Sequence, residues 1–576
     1  MEREFRYEPD PMPRPLSPVL LLGGGAGEAT CGILYLASHL RRHGIEAYVR
    51  LWDGDEDEAA VEKSIEQLIN RVKPKLIGLS LKWFHHAART LIIARTIRRV
   101  APDVHITVGG NSASFWWKEL LAYDCFDSVI LGDGEVPLTS LARGDLASPN
   151  VLRRGTNSRG EMTYIQSPKS DEIHYSHFRE LFLSELDLAS YSGWVQPGKG
   201  CSENCLYCSG TRGMQKASFG RAKPFLRSAE AVHADHLQIV DHTWQLRYDF
   251  AGSTAKFLEQ TWGALDFSRH SVTYFLWGVP PPELASTLSR RFQKIYMVLD
   301  IGCFSEAQRL DTMSRGLLKP CPTNDELMQV IERCQSFPNI ELEVSGIAGL
   351  PYSTRERLGE ERELVERVLQ MGCSVGYQRL QAQPGALVTE HPDRFGMVTQ
   401  ARTFAEFLDY FEQVDPSTVT VPMIHYADEA FEAEVQATSD ACDELVFAAA
   451  EAKQHVNLKG NTRLLNRAAD TREVSLGDWL GSHRAPAKVA KEVVTVVRSS
   501  TGNGLSCAPT VQHKKFSDPL LQQGDEARAL LDVLSAFEKA KTVDAVVKEL
   551  KPKLPPDVSR EVIEYLAVGR FLQPTE

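Results

Sequence analysis

No apolar run of about 18 residues or more occurs in the chain, and no charged n-region with an apolar h-region stands at its start, so neither a membrane span nor a secretory signal is expected. Basic excess is missing too. The formal net charge is −12, which opposes a nucleic-acid groove built from clustered Lys and Arg. Basic pairs such as Arg41-Arg42 and Arg98-Arg99 read as solvated helix faces. A paired-cysteine framework is absent as well: of eleven cysteines, Cys31, Cys125, Cys303, Cys321, Cys334, Cys373, Cys442 and Cys507 stand singly in long apolar segments. That is the pattern of a reducing compartment, so a cytoplasmic location is expected. It also argues against an iron-sulfur cluster near the C-terminus. With 43% hydrophobic and 24% charged residues the composition is that of a globular protein, and 576 residues suit three or four domains of about 100–200 residues each.

The remaining cysteines are the informative ones. Cys201, Cys205 and Cys208 fall in the run Cys201-Ser-Glu-Asn-Cys205-Leu-Tyr-Cys208. Three thiolates at this spacing on one loop can hold three irons of a [4Fe-4S] cluster and leave the fourth iron open to substrate or cofactor. A bare electron carrier wants four cysteines. A zinc site and chance clustering are the alternatives; zinc normally needs a fourth ligand, and no second CxxC pair or His-x3-His follows.

Upstream, apolar runs and helical periodicity alternate. Leu16 to Gly25 closes in glycines, and helix Gly32 to His43 follows. Then come strand Ala47 to Trp52, helix Glu58 to Val72, strand Leu76 to Ser80, helix Ala87 to Val100, strand His105 to Gly109 and strand Ser128 to Gly132. This implies a doubly wound parallel sheet, Rossmann-like, with ligands bound beyond the strand carboxyl ends. The rim then comprises Gly23 to Gly27, Ser80 to Phe84, Gly109 to Asn111 and Gly132 to Glu135. The glycine run at 23–27 lacks GxGxxG spacing and a placed acidic ribose partner, which weakens an NAD or FAD reading. Residues 145–190 are polar and turn-rich, a linker with room for a small hairpin. After the cysteines, strands are expected at Gln245 to Phe250, Ser271 to Leu276, Lys294 to Ile301, Glu341 to Ile347 and Gly376 to Gln381, with helices between.

The CxxxCxxC run with Tyr207 before its last cysteine resembles the radical S-adenosylmethionine (SAM) enzymes. Ser209-Gly-Thr211, Arg227-Ser-Ala-Glu230, Asp300-Ile-Gly302 with Ser305-Glu306, Gly349-Leu-Pro351 and Pro384-Gly385 follow in the family's order. The first domain resembles the B12-binding (cobalamin) domain that precedes the radical core in one branch of that family. Leu79-Ser80, Val108-Gly109-Gly110 and Gly132-Asp-Gly-Glu135 carry that likeness. Together they cover about residues 15–400.

The resemblance implies a [4Fe-4S] cluster on Cys201, Cys205 and Cys208, whose open iron binds SAM for reductive cleavage to a 5′-deoxyadenosyl radical. It implies SAM contacts at Tyr207, Ser209, Gly210, Asp249, Gly302, Ser305, Glu306 and Gly349. It implies cobalamin contacts at Gly24, Gly25, Ser80, Lys82, Trp83, Gly109, Gly110, Asn111, Gly132, Gly134 and Glu135. Two departures stand out. The loop after the first strand reads Ala26-Gly-Glu-Ala-Thr-Cys31-Gly without the histidine that often ligates cobalt from below, and Tyr248-Asp249-Phe250 replaces Gly-Gly-Glu. Lys82-Trp83-Phe84-His85-His86 is then the nearest segment to cover the lower cobalt face, although Trp83 and Phe84 equally suit a core and the histidines a solvated surface.

The implied division is a B12-binding domain at 1–144, the linker at 145–190, a partial (β/α)6 radical SAM barrel at 191–400 and a mostly helical C-terminal region at 401–576. Within the last, Phe404 to Ala452 reads as helical, Asn457 to Gln512 as irregular, and Asp525 to Leu572 as three helices with a short end strand. The helical end faintly resembles leader-recognition elements of peptide-modifying enzymes, and a packing cap is the alternative. The implied activity is cobalamin-dependent methyl transfer to an unactivated carbon of a natural product or peptide, fed by an electron donor such as flavodoxin or ferredoxin. Another radical SAM reaction, such as ring contraction or oxidative cyclisation, with or without working cobalamin, is the alternative. A non-enzymatic iron-sulfur sensor is a third. The pattern names no catalytic side chain.

Overall fold

The computed structural model describes residues 15–24, 31–52, 58–153, 172–183, 193–221, 223–243, 245–249, 254–413, 423–454, 463–466, 468–475, 493–499, 520–522, 529, 532–537, 539, 541–568 and 572–574. The first unit alternates β1 (Val19–Gly24), α1 (Cys31–Arg42), β2 (Ala47–Trp52), α2 (Glu58–Val72), β3 (Leu76–Ser80), α3 (Ala87–Val100), β4 (His105–Gly109), α4 (Asn111–Phe115), β5 (Ser128–Ile130), α5 (Glu135–Ala142) and β6 (Val151–Arg153). The sheet order is β2-β1-β3-β4-β5-β6, parallel except for β6. Alternation along β1 explains the layering: Val19 and Leu21 pack into one core, and Leu20 and Leu22 into the other. Chain order reverses between β1 and β3, so the crevice of a doubly wound sheet opens there. Leu22, Gly23, Leu79, Ser80, His86 and Thr90 line a cleft at that point.

A second six-stranded parallel sheet runs β7 (Gly193–Val195), β10 (Gln245–Tyr248), β11 (Ser271–Trp277), β12 (Lys294–Gly302), β13 (Ile340–Ala348) and β14 (Ser374–Arg379) in spatial order. Between β7 and β10 lie the two-residue strands β8 (Gly198–Lys199) and β9 (Phe225–Leu226), α6 (Arg212–Phe219) and α7 (Ala229–Ile239). The expected six strand-helix repeats are present. Leu246 and Tyr248 sink into the core against α7 and its neighbours, which leaves Arg247 and Asp249 on the opposite face, as period 2 requires.

The stretch expected as a linker does more than connect. Its start supplies β6, and Tyr175 and Phe178 lie 1% exposed in the main core. There Tyr35 of α1 stacks on Tyr175 at 4.2 Å, and Tyr35 Oη donates to Asp235 Oδ2 at 2.6 Å. Arg227 Nη1 donates to the same oxygen at 2.6 Å, and both charged side chains are fully buried. This node ties the first unit to the second.

Beyond residue 400, helices Phe404–Gln413 and Glu429–Gln454 flank a short strand at Ile424–Tyr426. The region expected to be irregular contains strands Arg463–Asn466, Ala468–Ser475 and Val493–Ser499. The run Val493-Val-Thr-Val-Val497 accounts for the last, because β-branched residues favour extended backbone. Of the three helices expected from Asp525 to Leu572, Val543–Leu550 and Pro556–Val568 are described in full, with the end strand Leu572–Pro574, around a small separate core. Among the described residues no helix is long and apolar enough to cross a membrane.

Candidate functional site

The cysteine loop is fixed by its neighbours before any ligand is considered. Leu206 N donates to Leu317 O at 2.9 Å, and Leu206 O accepts from Val388 N at 3.0 Å. Thr211 caps α6 by accepting from Met214 N, and Asn204 Oδ1 accepts from Gly213 N at 3.2 Å. Each thiol accepts an amide proton: Cys201 Sγ from Glu203 N at 3.4 Å, Cys205 Sγ from Lys319 N at 3.2 Å and Cys208 Sγ from Gly210 N at 3.2 Å. Ser209 N donates to Gln383 Oε1 at 3.0 Å, and Tyr207 is buried with its Oη 3.2 Å from Lys319 Nζ. Sequence reasoning missed Lys319 and Gln383. Both arrive from more than a hundred residues away, and no local spacing announces them.

At the first unit's rim, the loops after β3 and β4 are stitched together. Leu81 N donates to Gly109 O at 2.8 Å, and Ser112 Oγ to Lys82 O at 3.0 Å. Gly110 has φ 115°, and a Cβ there would lie 2.7 Å from Leu81 O, so only glycine fits. Asn111 begins the short α4. Gly132, at φ 71°, packs so closely on α6 that a Cβ would come within 2.9 Å of Ser218 O. Gly134 faces Leu36. Gly24 ends β1, and Gly25 lies outside the described residues.

Trp83 is half-buried, with Lys82 Nζ 5.3 Å from its ring centroid, whereas Phe84 is 4% exposed and packs on Phe407. Of the two aromatics left open by the sequence, Phe84 is the core residue. His85 and His86 make ring contacts with each other at 4.3 Å.

Several expected contacts have other partners. Glu135 is buried, and its Oε1 accepts from Lys199 Nζ at 2.5 Å; Asp133 pairs with Lys199 and Arg221. Burial opposes ionisation of Asp133, yet Lys199 and Arg221 hold its carboxyl below the usual range. The acidic end of the Gly132-Asp-Gly-Glu135 turn therefore locks the two units together. Ser305 is fully buried, caps the helix Glu306–Ser314 and donates to Glu360 Oε2 at 2.6 Å. Glu306 Oε1 accepts from Asn324 N at 2.9 Å. Their side chains support the end of β12. Gly302 and Gly349 adopt φ 80° and 73° at strand ends beside Leu318 and Arg379.

The loops after β4 and β5 pack on the second unit beside the cysteine loop: Gly132 lies against Ser218, and Gly385 against both Met214 and Phe115. Asp249, at the end of β10, accepts from Arg247 Nε at 3.1 Å, and the Arg247 guanidinium lies between the Trp194 and Phe275 rings at 4.1 and 4.4 Å. Burial raises the Asp249 pKa, and Arg247 and then Lys82 pull it back. Lys82 of the first unit thus acts electrostatically on Asp249 of the second. Cys31 feels both of them, together with Lys199 and Arg247.

Comparison with known proteins bears on this arrangement. Residues 25–142 match the B12 binding domain family. The solved structure of TsrM from Kitasatospora setae, a radical S-adenosylmethionine methyltransferase with tryptophan and a SAM analogue bound, aligns with TM-score 0.56 at 15% identity, covering 74% of this chain and 88% of that one. The first domain is thus similar to B12 binding domains, and the fold of the chain is that of this radical SAM methyltransferase structure. A second structure of TsrM, with cobalamin and a [4Fe-4S] cluster, gives 0.54 at 14% identity over 76% of this chain and 90% of that one. The hopanoid C-3 methylase of Methylococcus capsulatus is 27% identical over 192 residues, covering 31% of this chain and 35% of that protein. An uncharacterized methyltransferase of Pyrococcus horikoshii is 22% identical over 200 residues, covering 31% and 40% respectively. The chain thus spans well under half the length of the curated relatives it matches.

The residues fit such cofactors. Amide donors on all three thiols suit thiolate ligands, since hydrogen bonds to sulfur tune a cluster. Among the described residues no three His, Cys, Asp or Glu converge as ligands of a single ion. A cubane does not require that, because each thiolate takes a separate iron corner. At the upstream rim the β1–β3 crevice, lined by Leu22, Gly23, Leu79 and Ser80, offers the open surface, and the Gly110 turn holds the loops after β3 and β4 together beside it.

Proposed function

We propose that the chain is a methyltransferase that uses cobalamin, SAM and a [4Fe-4S] cluster to methylate an unactivated carbon of a small molecule or peptide. The observation that carries this reading is the packing of the first unit's rim loops on the helix that follows the cysteine loop, Gly132 against Ser218 and Phe115 beside Gly385 and Met214. When bound, the cofactors supply a transferable methyl group and a hydrogen-abstracting radical, and shared confinement of reactants is the advantage of joining their sites.

The chain's own residues have distinct parts. Cys201, Cys205 and Cys208 would hold the cluster, with Tyr207, Ser209 and Gly210 shaping its exposed side. Asp249 would receive the SAM ammonium, with Arg247 fixing the carboxylate. Gly302 and Gly349 would let the backbone approach the nucleoside. Gly24, Gly25, Ser80, Gly109, Gly110 and Asn111 would line the corrin and its tail, with Lys82 and Trp83 against the cobalt face and Gly132 and Gly134 closing the edge. Glu135, Ser305 and Glu306 support these surfaces from behind.

Supply of electrons by a flavodoxin or ferredoxin and a cytoplasmic location complete the proposal. The ten described cysteines are all free thiols, which supports a reducing compartment. The test is anaerobic turnover of SAM after loading with cobalamin and iron. S-adenosylhomocysteine formed only when cobalamin is present supports methyl transfer. SAM consumption indifferent to cobalamin would favour a radical enzyme whose first domain is a scaffold.

A further inference from the structure

Lys319 is a buried cation beside the cysteine loop, 7% exposed. Its backbone N–H donates to Cys205 Sγ and its Nζ to Tyr207 Oη, each at 3.2 Å. The same ammonium pairs with Asp300 at the end of β12 and lies 5.8 Å from the Trp277 ring centroid. The backbone leaves it little freedom, because Leu317 O is bonded to Leu206 N within the cysteine loop and Pro320 follows. Removing an ammonium from water costs several kcal/mol unless it is paired; Asp300 pairs this one, and the backbone bond to Cys205 and the Tyr207 hydroxyl fix it beside the cysteine loop. A cluster held by thiolates is anionic, and reduction adds one more negative charge. Net charge, hydrogen bonds to sulfur and burial set such potentials.

We propose that Lys319 is a positioning residue that sets the reduction potential of the cluster on Cys201, Cys205 and Cys208, its fixed positive charge favouring the reduced state. This rests on the cluster reading above. The step is transfer of one electron from an external one-electron donor to the cluster. No protein bond forms or breaks, and Lys319 keeps its proton. Asp300 acts with the opposite sign by offsetting part of the lysine charge. Tyr207 holds the ammonium beside the cysteine loop through its hydroxyl.

The test is an EPR-monitored dithionite titration of the full chain, with iron and sulfide counted beforehand. Lys319→Met is expected to shift the midpoint to a more negative potential, Asp300→Asn to shift it upward, and Lys319→Arg to keep the wild-type value. A merely structural lysine would not produce shifts of opposite sign at its two ends. An unchanged midpoint in Lys319→Met overturns the inference. Should that variant take up no cluster, Asp300→Asn decides, and absence of an upward shift overturns it. Wild-type protein that takes up no cluster overturns the cluster reading instead.

Discussion

Gly110 shows how much one residue contributes to the upstream rim. Its positive φ and the 2.7 Å approach of a built Cβ to Leu81 O leave no room for a side chain. Gly110→Ala should therefore cost about 1–3 kcal/mol, the usual range for a strained backbone position. A urea titration checks it, and a cost below about 0.5 kcal/mol would mean the loops can part. Glu361 gives a pH-dependent case. Burial raises its pKa to about 7, against weaker pulls from the Tyr377 hydroxyl and Arg379. The folded chain then holds a proton that the unfolded chain releases near 4.5, so stability falls as pH rises from about 4.5 to 7 and stays low above it. Glu361→Gln should gain up to roughly 3 kcal/mol at pH 8 and little at pH 4.5, provided the amide keeps the tyrosine bond. Equal effects at both pH values would refute this. At this scale the sequence is legible where a site is local. Cys201, Cys205 and Cys208 announce themselves by spacing, whereas Lys319 and Gln383 become neighbours only through the fold.

Among elements, strand and helix alternation was readable because burial on both faces leaves continuous apolar runs such as Val19 to Leu22. The 145–190 stretch was less readable. Its one strand among the described residues is three residues long, and Tyr175 and Phe178 gain their meaning from α1 and α7. Arg227 and Asp235 were hidden for the same reason, since Arg227 sits in a motif whose likeness suggests a helix start rather than a lock. Asp235→Ala strands a buried guanidinium, so a loss of about 3–5 kcal/mol is expected. Tyr35→Phe removes the bond to the same carboxylate and two longer ones accepted from Arg227 and Gln196 but leaves the ion pair in place, so a smaller loss of about 1–2 kcal/mol is expected. Thermal melts of the two variants distinguish the lock from ordinary packing. Similar small losses in both would show that the ion pair is dispensable. The Lys199 bridge to Asp133 and Glu135 is a second seam of the same kind, a contact between units that the acidic turn did not announce in the sequence.

For the whole molecule, domain order and fold class were legible because each unit keeps its own periodicity and its own turn glycines. The seam between the units was not, because it depends on the Arg227 and Lys199 nodes, whose partners lie far away in the sequence. Replacing Cys201, Cys205 or Cys208 with Ala should abolish iron and sulfide uptake while leaving corrin uptake intact, as the two sites stand on different units. Joint loss of both would point to unfolding. The central claim is that one chain holds both cofactors over a common space. Its most direct measurement is the visible spectrum and iron content of the chain purified anaerobically with cobalamin supplied. The account predicts corrin and a [4Fe-4S] cluster in equal amounts on the same protein; cluster without bound corrin would contradict it.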